Sequence, residues 1–318
     1  MRVTSKVVLG ILGAAVLALL LAKANADRHF YDGYDATAPL NARVASSEVR
    51  EAGTREAVYF DGMAGESIPA LLALPKDVKG KVPCVVFLHG IGQKKDFLDE
   101  ISPIYNQQGF AIASFDQYTR GERRLPENAT PWQQLVAFRQ RAARTPNDAR
   151  RLVDYLQTRP EIDGERIYLV GASYGAITGT VAAALDPRFK AVVLVYGGAN
   201  IRHLMSAREI RGAVDKGPFG WAVADVAIAL ARYVLAPADP AIYAPRIAPR
   251  PVYLQNGTTD GLISDAAAKA LQEAVQEPKK IDIYPGDHIG VDEATVWEVL
   301  KSGIAWLQAQ DAALASAR

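Results

Sequence analysis

The chain has 318 residues, of which 49% are hydrophobic and 22% are charged, and its 36 Lys and Arg residues almost balance 35 Asp and Glu residues. This composition argues against a disordered chain and against a nucleic-acid-binding protein, because disorder needs low hydrophobicity and phosphate binding needs a basic excess. Cys84 is the single cysteine, which excludes an internal disulfide and a cysteine-rich zinc site.

The first 26 residues have the pattern of a secretory signal peptide. Arg2 and Lys6 precede an uncharged apolar run at residues 7–22, and Ala24 and Ala26 supply the small residues that a signal peptidase reads. We predict cleavage after Ala26 and a secreted or periplasmic protein. An uncleaved N-terminal membrane anchor is the alternative, although the run is slightly shorter than the about 20 residues of a spanning helix. Without this segment, 33 basic residues face 35 acidic ones.

The next segments predict a lead-in followed by a hairpin. Residues 27–53 are polar and weakly patterned, which predicts an extended lead-in to a domain covering residues 54–318. Residues 54–60 and 68–74 are apolar or alternating runs on either side of a turn that contains glycine, and this arrangement predicts an antiparallel hairpin.

From residue 82 onward, strand-like and helix-like segments alternate. The predicted strands cover residues 82–88, 110–115, 166–170, 191–195, 252–255 and 281–284, and the predicted helices cover residues 96–108, 146–157, 173–185, 264–275 and 291–310. Because parallel strands need crossover connections, this order predicts an α/β fold with a mostly parallel central sheet, an N-terminal antiparallel hairpin and helices on both faces.

One connection is much longer than a crossover requires. Residues 200–250 separate two predicted strands, and their middle, residues 220–235, is apolar and compatible with a helix. An ordinary crossover helix with decorations is one interpretation. A cap over the functional site, with Phe219 and Trp221 near its lip, is the other.

A serine follows the strand predicted at residues 166–170. Gly171-Ala172-Ser173-Tyr174-Gly175 matches the pattern G-x-S-x-G and leads into a helix rich in Ala and Thr. Small flanking residues permit a sharp strand-to-helix turn, and the helix N-terminus then faces a developing anion. A serine that only caps a helix is the alternative, but this context predicts that Ser173 is a nucleophile.

A serine nucleophile needs a base, and the chain has four histidines. His29 lies near the start, His203 lies in the long connection, and His89 directly ends a strand, where a structural role is predicted. His288 lies in the loop after the last predicted strand, and this position in the chain order predicts that it is the base.

The base needs a carboxylate partner, and the reaction needs donors for the oxyanion. Asp260 follows the penultimate predicted strand and is the predicted carboxylate, with Asp287 and Asp265 as rivals. The backbone N–H groups of Tyr174 and Ile91 are the predicted oxyanion donors, although the glycines beside Ile91 are also compatible with a plain tight turn.

Together these residues resemble the α/β-hydrolases, in the branch of dienelactone-hydrolase-like and acetyl-xylan-esterase-like serine esterases. The resemblance covers roughly residues 54–310, and its matching features are His89-Gly90, Asp116, residues 146–163, Gly171 to Gly175, Asp260 and His288. It implies Ser173 as nucleophile, His288 as base, Asp260 as the residue that orients the base, and Ile91 with Tyr174 as the oxyanion hole.

The sequence departs from this family in two places. Dienelactone hydrolases proper use a cysteine nucleophile, whereas here the turn holds Ser173 and Cys84 lies inside a predicted core strand. The usual glycine-rich stretch after the strand ending near Asp116 is replaced by residues 117–124. We expect that loop to line the substrate pocket through Tyr118, and Trp221 of the long connection to line it as well.

The sequence therefore predicts an exported serine hydrolase that cleaves carboxylic esters, on a small molecule or a polymer, with no cofactor and no metal. A peptidase similar to the prolyl oligopeptidase catalytic domain and a non-catalytic binding protein with the same fold are the alternatives. No nucleic-acid partner is expected, membrane contact is expected only through an uncleaved N-terminal segment, and the oligomeric state is left open.

Overall fold

A computed structural model describes residues 5–77, 80–215, 219–289 and 293–317. The strands are β1 (Arg43–Arg50), β2 (Gly53–Asp61), β3 (Ser67–Pro75), β4 (Val82–Leu88), β5 (Ala111–Phe115), β6 (Ile162–Ala172), β7 (Phe189–Val195), β8 (Val252–Gly257) and β9 (Lys279–Tyr284). The helices are α1 (Ser5–Arg28), α2 (Leu98–Gln107), α3 (Pro131–Thr158), α4 (Tyr174–Leu185), α5 (Ile201–Met205), α6 (Arg208–Val214), α7 (Gly220–Leu235), α8 (Pro240–Tyr243), α9 (Asp265–Ala274) and α10 (Glu293–Ser316).

The strands of the described residues form one nine-stranded sheet in the order β1-β2-β3-β5-β4-β6-β7-β8-β9. Strands β1, β2, β3 and β5 pair antiparallel, and every pairing from β5 to β9 is parallel. The predicted mostly parallel sheet with an N-terminal hairpin is therefore confirmed. The carboxyl ends of β4, β6 and β8 come together at one edge, where loops can assemble a site.

Helices cover both faces of the sheet, as predicted. On one face, Leu98 and Tyr105 of α2 pack with Val299 and Leu307 of α10 against residues such as Val85. On the other face, side chains of α3, α4 and α9 pack against the opposite side of the same strands. Continuous apolar runs form the central strands because these strands are buried on both sides.

Residues 27–53 pack on the domain and supply a strand of the sheet, whereas the sequence predicted only an extended lead-in. Arg151 of α3 is fully buried, and its guanidinium donates to the carbonyl oxygens of Ala38 and Pro39, which fixes this segment to the body. Strand β1 then pairs with β2, so the sheet begins before residue 54. The sequence did not indicate β1 because every residue of this edge strand is exposed, and no alternation of apolar and polar residues marks it.

Helix α3 is longer than predicted. The sequence indicated a helix from residue 146, but α3 runs from Pro131 to Thr158 with Pro146 inside it. Thr130 and Gln133 form a capping box at its start. This pair is a strong signal for the beginning of a helix, and Thr130 lies 16 residues before the predicted start at residue 146. Its N-terminal half brings Phe138 and Arg141 toward the carboxyl edge of the sheet.

The described part of residues 200–250 forms several helices above one side of that edge rather than a single crossover helix. Ile201, Leu204, Leu235 and Ala238 of this segment join Ala142 of α3 and Ala267 of α9 in one apolar cluster. Helix α1 covers residues 5–26 of the predicted export segment and continues to Arg28. Cleavage after Ala26 stays a prediction.

Candidate active site

Ser173 stands on a strained turn between β6 and α4. Its backbone has φ 56° and ψ −119°, a conformation that L-residues rarely adopt and that turns the chain sharply. The flanking glycines are required by close contacts, since a Cβ on Gly171 would lie 2.3 Å from the Gly175 carbonyl oxygen and one on Gly175 would lie 1.8 Å from the Leu88 carbonyl oxygen. The motif therefore fits this turn sterically as well as by pattern.

A chain of hydrogen bonds joins Ser173 to His288 and Asp260. His288 Nε2 lies 2.8 Å from Ser173 Oγ, and His288 Nδ1 lies 2.7 Å from Asp260 Oδ2. Both partners of the second contact are shielded, because the side chains of His288 and Asp260 are 10% and 3% exposed. The ring of Tyr196 packs edge-on against the imidazole at 5.7 Å between centroids. The imidazole is thus held in one position by contacts on three sides.

Asp260 is itself held by the backbone. Its Oδ1 accepts hydrogen bonds of 2.8 Å from the N–H groups of Leu262 and Ile263, so only Oδ2 faces the imidazole. This arrangement favours the tautomer with a proton on Nδ1, because the carboxylate can accept a proton but cannot donate one. His288 then presents an unprotonated Nε2 to the Ser173 hydroxyl.

The two rival carboxylates lie elsewhere. Asp287 Oδ1 accepts from the N–H groups of Gly261 and His288, so this side chain ties two loops together instead of contacting the imidazole. Those hydrogen bonds lower the pKa of Asp287 below its usual value. Asp265 begins α9 and pairs with Lys269 on the surface.

The two predicted oxyanion donors flank Ser173. Tyr174 is the first residue of α4, where a backbone N–H has no partner within the helix. Ile91 belongs to the loop after β4, and its neighbour Gly90 lies so close to the nucleophile that an added Cβ would be 3.7 Å from Ser173 Cβ. The Gly90 N–H donates to the Gln93 side chain at 2.9 Å, which closes this loop into a tight turn.

Sequence reasoning missed two residues that hold this loop. Gln117 donates to the His89 carbonyl oxygen at 2.8 Å, and Arg141 donates to Gln117 Oε1 at 2.8 Å and to the Ile91 carbonyl oxygen at 3.3 Å. The Arg141 guanidinium also lies over the Tyr174 ring, 4.4 Å from its centroid. Nothing local in the sequence marks either residue, because each acts on a loop far away along the chain.

Arg141 is unusual because it is a buried cation without an acidic partner among the residues that the structure describes. It is 1% exposed, and its hydrogen bonds all go to uncharged oxygens. Burial lowers the pKa of Arg141 to about 10, so the guanidinium stays charged at neutral pH. It therefore places a positive charge behind the loop that holds Ile91.

Two cavities within the described residues meet at Ser173. The larger, of about 780 Å³, lies toward α2 and α10 and has Glu100, Glu293 and His288 in its wall. The smaller, of about 290 Å³, lies beneath the helices of residues 200–250 and has no charged residue in its wall. Its apolar wall includes Tyr31, Phe138, Ile177, Leu204, Leu235, Ala238 and Ile263. The segment at residues 200–250 therefore covers one side of the site, as the cap interpretation expects.

Comparison with known proteins identifies the family. Residues 68–290 match the model of the dienelactone hydrolase family, which is well over half of the chain. The chain belongs to the dienelactone hydrolase family. The curated protein YtaP of Bacillus subtilis (strain 168), which is named as a hydrolase, is 26% identical over 173 residues, which are 49% of this chain and 56% of that protein.

Solved structures with the same architecture include two acetyl xylan esterases. The enzyme from Paenibacillus sp. R4 superposes with a TM-score of 0.68 at 20% identity, covering 90% of this chain and 93% of its own. Acetyl xylan esterase 1 from Thermoanaerobacterium sp. JW/SL YS485 gives a TM-score of 0.59 at 19% identity, covering 88% and 93%. At these identities the likeness shows the α/β-hydrolase fold, which confirms the predicted fold class.

In this member of the dienelactone hydrolase family, the cysteine is not available for catalysis. Cys84 lies inside β4 and is fully buried. Burial raises the pKa of its thiol, so the reactive thiolate is disfavoured. His89 is also buried, and burial lowers its pKa to about 4, which keeps the imidazole neutral in its structural position after β4.

Two predicted pocket residues, Tyr118 and Trp221, lie outside both cavities, so that prediction was wrong. The Tyr118 ring packs against the guanidinium groups of Arg123 and Arg144, 5.4 and 4.3 Å from their central carbons, rather than against the residues around Ser173. Trp221 is 60% exposed because the inward face of α7 is formed by Ala224 and Leu235.

The described residues hold no group of three His, Cys, Asp or Glu side chains that could bind a metal ion.

Proposed function

We propose that this hydrolase cleaves carboxylic esters through an acyl-enzyme, with Ser173 as nucleophile, His288 as base and Asp260 as the carboxylate that orients the base. The observation that carries this proposal is the continuous chain of hydrogen bonds from Asp260 through His288 to Ser173, at 2.7 and 2.8 Å. Membership of the dienelactone hydrolase family supports it, as do esterases among proteins of the same fold.

The reaction would proceed in two half-reactions. His288 Nε2 accepts the Ser173 proton as Oγ attacks the ester carbonyl, and the backbone N–H groups of Ile91 and Tyr174 stabilise the oxyanion. The imidazolium then protonates the leaving alcohol, and Asp260 stabilises that cation without accepting its proton. A water molecule, deprotonated by His288, attacks the acyl carbon and releases the carboxylic acid and free Ser173.

We also propose that the catalytic domain works outside the cytoplasm. The order of basic residues, apolar run and small residues at the N-terminus supports this location, whether the segment is cleaved or retained.

We further propose that the two parts of the ester occupy the two cavities at Ser173. The apolar acyl group would lie on the side of Phe138 and the alcohol on the more polar side of Glu100.

The direct test is labelling with a fluorophosphonate probe followed by peptide mass spectrometry. We expect one labelled residue, Ser173, and hydrolysis of 4-nitrophenyl acetate with little turnover of the matched 4-nitroanilide. Faster turnover of the anilide would favour a peptidase. Absence of both labelling and turnover in the folded protein would favour a non-catalytic binding protein.

The buried cation at Arg141 leads to a separate prediction. Arg141→Met should lower kcat for 4-nitrophenyl acetate by about 100-fold with little change in KM, because the Ile91 carbonyl keeps only its hydrogen bond from Arg120, Gln117 loses its donor, and the oxyanion loses a nearby positive charge. Lysine at this position should restore part of kcat, since it keeps the charge but cannot bridge Gln117 and Ile91 with one planar group.

The control for this prediction is Arg144→Met, which removes a half-buried arginine of the same helix that pairs with Glu66 instead of the loop. Both variants should show the circular dichroism spectrum of the wild-type protein. A loss in Arg141→Met that appears only in KM, or an equal loss in Arg144→Met, would contradict the positioning role.

A further inference from the structure

Helix α1 is apolar on all sides and is not covered by the rest of the described chain. Each residue from 12 to 22 is exposed. Its large aliphatic side chains are 51–70% exposed, and they are Leu12, Val16, Leu17, Leu19, Leu20 and Leu21. At 100° per residue these side chains cover a little over half of the helix surface, and the exposed alanines at positions 14, 15, 18 and 22 cover the remainder, so no polar face is left. A helix that pairs with one partner has a single apolar stripe instead. A helix that is apolar all round is suited to a lipid interior.

The C-terminal end of α1 is fixed to the folded domain. Asp27 pairs with Lys23 and with Arg139 of α3, the latter at 3.0 Å. The Arg139 guanidinium also lies over the ring of Phe30, 4.7 Å from its centroid, and the Lys23 ammonium lies 4.2 Å from the centroid of the Tyr233 ring on α7. These contacts lie on both sides of Ala26, so they orient α1 relative to α7 and favour a retained segment.

Helix α7 also presents an apolar face outward. Ala224 and Leu235 are buried against the body, whereas the opposite side carries exposed apolar residues. These residues are Val223, Val226, Leu230 and Tyr233, which are 48–70% exposed. The charged side chains of α7, Asp225 and Arg232, lie to one flank of this face by helical spacing, and Asp225 pairs with Arg211.

Length and composition alone would let residues Gly220–Ile247 cross a membrane, since an 18-residue window of this stretch has a mean hydropathy of 1.4. In the fold this stretch is divided by Pro237 and Pro240, and Ala244 and Ile247 are buried in the body. It therefore cannot leave the domain to span a bilayer. Only its outward face can meet one, with α7 lying along the surface.

The wall of the small cavity includes residues next to both α1 and α7 as well as Ser173. They are Tyr31, which follows α1, Leu235, the last residue of α7, and Ala238, in the turn after it. None of the described residues in this wall is charged. An aliphatic chain is the ligand that such a wall accommodates best, since a sugar ring would leave its hydroxyl groups without partners.

We propose that α1 and the outward face of α7 dock this protein on a lipid bilayer, and that its substrate is an ester whose aliphatic acyl chain enters the small cavity from that bilayer. The substrate part rests on the proposed function. The chemistry remains hydrolysis, because water supplies the hydroxyl to the acyl carbon and the proton to the leaving alcohol. The basic residues of the N-terminal sequence, Arg2 and Lys6, would stay on the side of the bilayer opposite the catalytic domain.

Docking is tested without reference to catalysis, by site-directed spin labelling of the full chain in vesicles of phosphatidylethanolamine and phosphatidylglycerol. Cys84 is buried, so single cysteines at Val226 and, as control, at exposed Ala313 of α10 can be labelled. The Val226→Cys label should relax faster with oxygen than with a water-soluble nickel complex, and the Ala313→Cys label should show the reverse. Equal behaviour of the two labels would overturn the proposal that this face docks on a bilayer. Shielding of the Val226→Cys label from both reagents would also overturn it and would indicate that a second copy of the chain covers the face.

Retention of α1 is tested on the same membrane fraction by intact mass. The membrane-bound chain should include residues 7–26, and a mass that begins at Asp27 would overturn the role of α1.

The substrate class is tested with two esters and a charged variant. The variant Val226→Glu with Leu230→Glu should lower turnover of 4-nitrophenyl decanoate in vesicles by at least 10-fold and leave turnover of soluble 4-nitrophenyl acetate within about two-fold. The matched control, Ala312→Glu with Ala313→Glu, adds the same charge on α10 and should change neither. An unchanged rate with 4-nitrophenyl decanoate in the α7 variant would overturn the proposal that the acyl chain enters from the bilayer. Failure of the proposed function would instead remove both rates from the wild-type protein and leave the spin-label result intact.

Discussion

Replacement of Ser173 with alanine is expected to lower kcat for 4-nitrophenyl acetate by about 10⁶-fold, to a rate near the limit of detection. The substitution removes the one hydroxyl among the described residues that hydrogen-bonds to His288 Nε2, and Cys84 cannot substitute because it is buried inside β4. The measurement is initial rates on protein purified in parallel with the wild type, with KM determined where turnover permits.

The fold should survive this change. Ser173 already occupies a backbone conformation with φ 56°, and its N–H donates to the Val195 carbonyl oxygen, a contact that alanine keeps. Thermal unfolding of Ser173→Ala should therefore match that of the wild type within a few degrees. Ser206→Ala, at an exposed serine after α5, is the control and should retain full turnover. Wild-type rates in a clean preparation of Ser173→Ala would refute the role of this serine.

The parts of the fold that could be predicted are those whose sequence pattern reflects burial on both sides. Strand β4 is an uninterrupted apolar run, and its predicted bounds at residues 82–88 match the observed ones. Strand β1 gave no such signal, because it is an edge strand with all eight residues exposed. Helix α3 was truncated in the prediction since Pro146 was treated as a start, although tertiary packing outweighs one missing hydrogen bond.

The site residues likewise fall into those that could be predicted from the sequence and those that could not. Ser173, His288 and Asp260 could be chosen because loops after parallel strands meet at one edge of the sheet, so chain order alone brings them near one another. Tyr118 and Trp221 could not be placed, since the direction of each side chain depends on which face of its segment packs inward. Trp221 is exposed because Ala224 and Leu235, on another side of α7, are the residues that pack against the body.

Residues that support the site through distant partners were beyond sequence reasoning. Arg141 gave no local sign of its role, because the carbonyl of Ile91 is 50 residues away in the chain. Asp287 was a plausible partner for His288 by adjacency, yet its carboxylate is occupied by the N–H groups of Gly261 and of His288 itself. Only the folded loops show that two carboxylates near one imidazole have separate tasks.

That separation makes Asp260→Asn a sharp test of the proposed mechanism. We expect kcat for 4-nitrophenyl acetate to fall by about 10⁴-fold with little change in stability. The N–H groups of Leu262 and Ile263 both donate to Oδ1 at 2.8 Å, so the asparagine oxygen should occupy that site and its NH₂ group should face His288 Nδ1. Because the amide donates, the imidazole would have to accept at Nδ1 and carry its proton on Nε2.

A proton on Nε2 would then point at Ser173 Oγ, and the base could not remove the serine proton. Asp265→Asn, which removes a surface carboxylate paired with Lys269, is the matched control and should keep wild-type kcat. Asp287→Asn should have a smaller effect than Asp260→Asn, since an amide oxygen can still accept from Gly261 and His288 and the tautomer is unaffected. If Asp260→Asn retained more than a tenth of wild-type kcat, or if Asp287→Asn lost more than Asp260→Asn, the orienting role would belong to a different carboxylate. The order of these three asparagine variants therefore tests which carboxylate fixes the imidazole, independently of what the substrate is.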